Sequence, residues 1–171
     1  MYLHTFGRLE PWLVSPVFVI LHFKTMLISM PALKNIVRLF PFTTLCVVLI
    51  FILSFFSPPH TPLDNVQMID KWTHLVMYGG TVGIFWLEYW RSHYRMSFCL
   101  PAWCLLLVSV VAPIVLGGLI ELLQAYCTGG RRSGEWVDWL ADALGVALAV
   151  LAGLTIVKSF ARKLWAKDLD R

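Results

Sequence analysis

Residues able to move protons or hold anions stand in a few short runs of an otherwise apolar chain. Asp70, His74 and Tyr78 are spaced i, i+4, i+8, which lays them along one stripe of a helix with about 6 Å of rise between neighbours. Lys71 stands beside them. Glu121 and Gln124, three apart, share a helical face. The segment Thr128 to Glu135 carries Gly129, Gly130, Arg131 and Arg132, and Asp138, Asp142 and Gly145 repeat the helical spacing further on. Carboxylates and an imidazole brought together suit general acid and base work. Guanidinium groups hold phosphate through charge-assisted, bidentate bonds, and a lysine adds a point charge. Asp70, His74, Glu121 and Asp138 are therefore the expected proton-handling, catalytic group. Lys71, Arg131 and Arg132, with Gln124, Tyr78 and Asp142, are the expected ligand- or phosphate-binding group.

Charge constrains how such a site exists. Asp70, Glu121, Glu135, Asp138 and Asp142 outnumber Lys71, Arg131 and Arg132. At a partly dehydrated surface that excess is relieved by a proton kept on a carboxylate, by a charged His74, or by a divalent cation. The spacing itself fixes no metal set, because one histidine stands among scattered acids. Each residue also has a plainer role. Asp70 and Asp138 suit helix N-termini, Gln124 suits a helix-to-helix hydrogen bond, and Arg132 suits an ion pair with Asp138 or Asp142. Glu121 and Asp142 are harder to explain that way. Each lies about a turn inside a long apolar stretch, where an unpartnered carboxylate is costly.

The elements that must carry these residues follow from the apolar background. Of 171 residues 58% are hydrophobic and 14% charged, with a mean hydropathy of +0.73, against about 25% charged in soluble domains. This excludes a large soluble catalytic domain and implies lipid as the solvent for much of the chain. Leu39 to Leu63 and Met96 to Ile120 each run 25 residues without a charge, and the proline-rich Ser57-Pro58-Pro59 trims the first helix to about Leu39 to Phe56. Trp72 to Leu87 and Ala143 to Val157 are shorter, at 16 and 15 residues, and need charged residues at their ends to reach spanning length. The expected fold is an all-α membrane protein with four transmembrane helices in a compact bundle and both termini cytoplasmic. That orientation puts eleven of the fourteen Lys and Arg inside and leaves only Lys71, Arg131 and Arg132 outside. Trp72, Trp136 and Trp139 then belong to the outer interface, and Trp86, Trp90 and Trp103 to the inner one. Gly79 with Gly83, Gly117 with Gly118, and Gly145 with Ala149 and Gly153 are expected to let helix backbones approach, and Pro113 to kink the third helix.

Three segments result: a basic, interfacial 1–38, a transmembrane domain 39–157, and a basic cytoplasmic tail 158–171. The apolar run Pro11 to Phe23 has 13 residues, too short to span, and Met26 or Met30 is an alternative start that would remove about the first 25 residues. The four cysteines, 46, 99, 104 and 127, form no CxxC pair and read as small hydrophobes. The charge of +4 is spread over short connections, which excludes a nucleic-acid face.

The order Asp70-Lys71-x-x-His74-x-x-x-Tyr78, then Glu121-x-x-Gln124, then Gly129-Gly130-Arg131-Arg132, then Asp138-x-x-x-Asp142-x-x-Gly145 resembles the VanZ-like membrane proteins. The resemblance covers about Asp70 to Gly145. At one position it departs: the family usually has Asn where this chain has Asp142. The resemblance implies a small multi-pass protein of the bacterial cytoplasmic (inner) membrane with a link to the cell envelope, since the family is named for a protein that lowers susceptibility to the glycopeptide teicoplanin. It supplies no established reaction, and neither a serine-nucleophile, a zinc-protease nor a P-loop signature is present. Two functions are in contention. One is an outer-face site that binds, and in its enzymatic version processes, an anionic lipid or lipid-linked envelope precursor. The other is a non-enzymatic adaptor or structural bundle, with an envelope protein as partner.

Overall fold

A computed structural model describes residues 30–55, 68–127 and 135–166. Among them five helices form and no strand. The chain divides into two units, 1–38 and 39–171. The described part of the first, 30–38, is all but the last residue of helix α1 (Met30–Leu39), which carries Lys34 and Arg38. In the second unit α2 is Pro41–Phe55 and α3 is Ile69–Met96. Helix α4 (102–127) joins Ala102–Leu106, a π turn at Leu107–Val111, and Ala112–Cys127. Helix α5 (Trp136–Trp165) joins Trp136–Ala152, a π turn at Gly153–Val157, and Lys158–Trp165. Within this unit α2 to α5 run alternately up and down, so the end of α2, the start of α3, the end of α4 and the start of α5 share one end, as the bonds joining them below require.

Helices α4 and α5 are both long and apolar enough to cross a membrane, and only 22% of the most apolar stretch of each is buried. A soluble core helix of that composition would be mostly covered. Here Val108, Val111, Val115, Leu119 and Leu122 leave a row of exposed aliphatic side chains down α4, and Leu140, Leu144, Leu148 and Leu151 do the same on α5.

Helix α3 is the centre of the packing and touches α5 most extensively. With 28 residues it is about 42 Å long. It does not stop at Glu88, and this changes the connection that follows. Ser97 takes a left-handed conformation (φ 52°), the Ser97 and Phe98 N–H groups turn back to the Ser92 carbonyl, and Pro101 precedes the first turn of α4. Residues 97–101 are thus a turn rather than the start of the third helix, because this 6→1 closure satisfies a carbonyl at the end of α3. Pro113 lies just past the π turn of α4. It lacks the N–H that would bond the Ser109 carbonyl, and the helix widens there. The Ser109 hydroxyl is satisfied by donating to the Leu105 carbonyl at 2.6 Å.

Glycine contacts join α3 to α5. A Cβ on Gly79 would stand 3.0 Å from the Gly145 carbonyl oxygen, and one on Gly145 would collide with the Leu75 carbonyl. Gly83 differs from its expected role, since the space beside it is open. The large rings of the core belong to the residues that follow it. Phe85, Trp86, Tyr89 and Trp90 form a contiguous aromatic core with ring centroids 5.0–6.2 Å apart. Trp86 and Trp90 are therefore core residues, 2% and 7% exposed, and not the interfacial anchors their sequence positions suggested. The reason is Gly153: a Cβ there would enter the Trp86 ring, and its carbonyl accepts the Trp90 indole N–H at 2.9 Å.

The start of α2 is capped from another helix. Phe40 has no capping side chain, and Pro41 has no N–H to satisfy. The next two N–H groups, of Phe42 and Thr43, donate to the two carboxylate oxygens of Glu88 at 3.0 Å each, and the Thr43 hydroxyl adds a bond of 2.7 Å. The Thr44 N–H returns to the Phe40 carbonyl at 3.0 Å. The buried Glu88 carboxylate thereby ties α2 to α3 at the end remote from the polar cluster described next.

Candidate functional site

The polar end is assembled from one face each of α3, α4 and α5. His74 lies about one turn above the start of α3, and its Nδ1 is 2.9 Å from Asp142 Oδ1 on α5 and 3.8 Å from Glu121 Oε1 on α4. All three residues are buried, and their ligand-capable atoms lie within 4.8 Å of one another. Close packing brings them together. The Gly79–Gly145 contact draws α3 onto α5, and Gly117 leaves room for Asp142: a Cβ on it would stand only 2.5 Å from Asp142 Oδ2.

A second group surrounds this triad. Lys71 Nζ lies 2.6 Å from Glu135 Oε2 and 3.1 Å from Asp138 Oδ1. The Glu135 carboxylate, with Asp138 behind it, holds the Lys71 ammonium above its ordinary pKa against the opposing effect of burial. Glu121 joins the two groups, because its Oε2 accepts the Glu135 N–H at 2.9 Å while its Oε1 is turned toward His74. Tyr78 is buried one turn below His74, and its hydroxyl has no hydrogen-bond partner among the described residues. The same holds for Glu121 Oε1 and Asp142 Oδ2.

Some expected residues take other positions. Asp70 is exposed at the first turn of α3 and is not drawn into the cluster, because the i, i+4 stripe leaves the packed interface there. Neither Asp70 nor Asp138 is a helix cap; the cap positions are Met68 and Glu135. Gln124 is buried and donates to the Ser54 carbonyl at 2.7 Å, a bond from α4 to the last turn of α2. Arg131 and Arg132 lie outside the described residues. Glu88 escaped the sequence reading as a functional group. Its signal was indirect: a helix beginning Phe40-Pro41-Phe42-Thr43 lacks its own cap and needs an acceptor from elsewhere.

Beside the triad an open groove of about 370 Å³ runs between α4 and α5, lined by Gly118, Glu121, Leu122, Tyr126, Trp136 and Trp139. Its walls are aromatic and aliphatic, and Glu121 is its acidic group. The Trp139 indole N–H is fixed by the Ile114 carbonyl at 2.9 Å. Chemically the arrangement offers an imidazole with two buried carboxylates, able to exchange a proton or bind a cation, next to an aromatic and aliphatic surface. No family model, curated protein or solved structure matches this chain.

Proposed function

We propose that this is a VanZ-like protein of the bacterial inner membrane, whose polar end faces outward and binds the headgroup region of an anionic lipid or lipid-linked envelope precursor. Helices α2 to α5 cross the bilayer four times with both termini in the cytoplasm, the arrangement favoured by the distribution of Lys and Arg. The observation that carries the reading is the groove. Trp136, Trp139, Tyr126 and Leu122 offer acyl or prenyl chains an apolar wall, and Glu121 connects that wall to the buried imidazole and carboxylates. Lys71 is engaged by Glu135 and Asp138, so the phosphate falls to Arg131 and Arg132 in the sequence between α4 and α5. His74, Glu121 and Asp138 orient these groups or handle protons, and any processing of the ligand takes place there. The test is to purify the protein in mild detergent and quantify co-purifying phospholipid. Arg132→Ala and Trp136→Ala are each expected to lower occupancy severalfold; unchanged occupancy in both refutes the reading.

A second reading is favoured by a different observation. Lys71–Glu135, Glu121–Glu135 and Gln124–Ser54 all join helix ends, as a structural bundle or an adaptor for an envelope protein would require. On that reading Asp138→Asn and His74→Gln reduce folded yield and leave lipid occupancy per folded molecule unchanged.

A further inference from the structure

We propose that His74, Glu121 and Asp142 form a binding site for one divalent transition-metal ion, zinc or manganese. This inference does not depend on lipid binding. The three side chains come from three helices, and their ligand atoms, His74 Nδ1 and one oxygen each of Glu121 and Asp142, lie within 4.8 Å of one another. In a tetrahedral site with ligand bonds of about 2.1 Å, neighbouring ligand atoms are about 3.4 Å apart. The distances of 2.9 Å from His74 Nδ1 to Asp142 Oδ1 and 3.8 Å to Glu121 Oε1 bracket that value. The Glu121 and Asp142 oxygens lie within 4.8 Å of each other, so bringing them to that spacing asks at most about 1.4 Å, shared between two side chains.

The second observation is what the cluster lacks. Glu121 is 7% exposed and Asp142 0%, yet Glu121 Oε1 and Asp142 Oδ2 have no hydrogen-bond donor among the described residues. Buried carboxylate oxygens are costly unless paired. Among the described residues the neighbouring cation, Lys71, is directed at Glu135 and Asp138 instead. A metal ion held by His74 Nδ1, Glu121 Oε1 and Asp142 Oδ1 brings positive charge to both buried carboxylates and takes the place of the proton between His74 and Asp142, leaving the histidine neutral with its hydrogen on Nε2.

One imidazole nitrogen with two carboxylate oxygens suits zinc or manganese, whereas magnesium prefers an octahedral shell of oxygens with several waters, and copper(I) prefers sulfur. The shell behind the ligands is also present. The Glu135 N–H holds the other oxygen of Glu121 at 2.9 Å, the kind of support that orients a ligating carboxylate. Because Glu121 also lines the groove, the remaining coordination position is supplied from that side, by water or by an oxygen of a bound headgroup.

The test uses the full chain in detergent, stripped with chelator and reloaded with zinc or manganese alone, with metal counted by mass spectrometry. About one ion per chain is expected. Glu121→Gln, Asp142→Asn and His74→Gln should each weaken binding by about a hundredfold or more, while Asp70→Asn, altering an exposed carboxylate, should not. Should the site variants fail to fold, pulsed electron paramagnetic resonance of the manganese-loaded wild type decides: coupling to an imidazole nitrogen supports the site. Folded wild type that retains no ion, bound manganese without nitrogen coupling, or binding unchanged in the three folded variants overturns it. Phospholipid counted on the same samples separates this outcome from that of the lipid reading: metal bound without lipid leaves the site standing, and lipid bound without metal removes it.

Discussion

Replacing Gly117 with alanine puts a methyl group where Asp142 already is. The added Cβ would lie 2.5 Å from Asp142 Oδ2, and ordinary contact begins at 3.4 Å, so the oxygen must retreat by about 0.9 Å. The carboxylate is rigid, and a shift of that size carries Oδ1 with it. Its 2.9 Å bond to His74 Nδ1 then stretches beyond hydrogen-bonding range. Losing a hydrogen bond to a charged partner costs about 1.5–3 kcal/mol. Alanine is the better helix former and returns about 1 kcal/mol. The net expectation is a destabilisation of about 0.5–2 kcal/mol. Gly83→Ala is the control: with open space at that position it gains the propensity term alone, and the two variants should differ by about 1.5–3 kcal/mol. Unfolding in mixed detergent micelles, followed by tryptophan fluorescence, measures both. Adding Asp142→Ala to each background gives the coupling energy directly. If Gly117→Ala proves as stable as Gly83→Ala, Asp142 does not occupy the space that Gly117 leaves.

Glu88→Ala removes the acceptor of two backbone N–H groups and one hydroxyl at the start of α2, and should cost about 3 kcal/mol in the same unfolding assay. Glu88→Gln, keeping one carbonyl acceptor, should lose less, and equal losses would mean that the carboxylate does not cap both groups. Gly153→Ala drives a methyl group into the Trp86 ring and should cost about 1–3 kcal/mol with a shifted tryptophan emission; an unchanged spectrum and stability would refute the α3–α5 packing there. For sidedness, an impermeant thiol reagent on intact cells should label Cys127 and spare the exposed Cys99, and the reverse pattern would invert the proposed topology.

Much of the fold was legible because lipid-compatible helices are written in composition. A charge is expensive inside an apolar helix, so the uncharged stretches marked α2 to within two residues and the middles of α4 and α5, whose ends lie six to eight residues from the ends of those stretches. The polar stripe placed His74, Glu121 and Asp142 on helical faces, since periodicity alone decides which residues share a face. Periodicity does not say what a face meets. Asp70 and His74 share a stripe, yet one is exposed and the other buried, because the helix contact begins between them. Trp86 and Trp90 look like interfacial anchors in sequence and became core only when Gly153 let α5 close over them. Glu88 looked like the end of a helix until α2 was placed over it. The chain by itself determined how apolar it is, where its helices run and which polar residues interrupt them, all consequences of local composition and a 3.6-residue repeat. Only the tertiary structure decided which carboxylates lose water and which partner each meets, because those are set by distances between helices far apart in sequence, down to the space left by a single glycine.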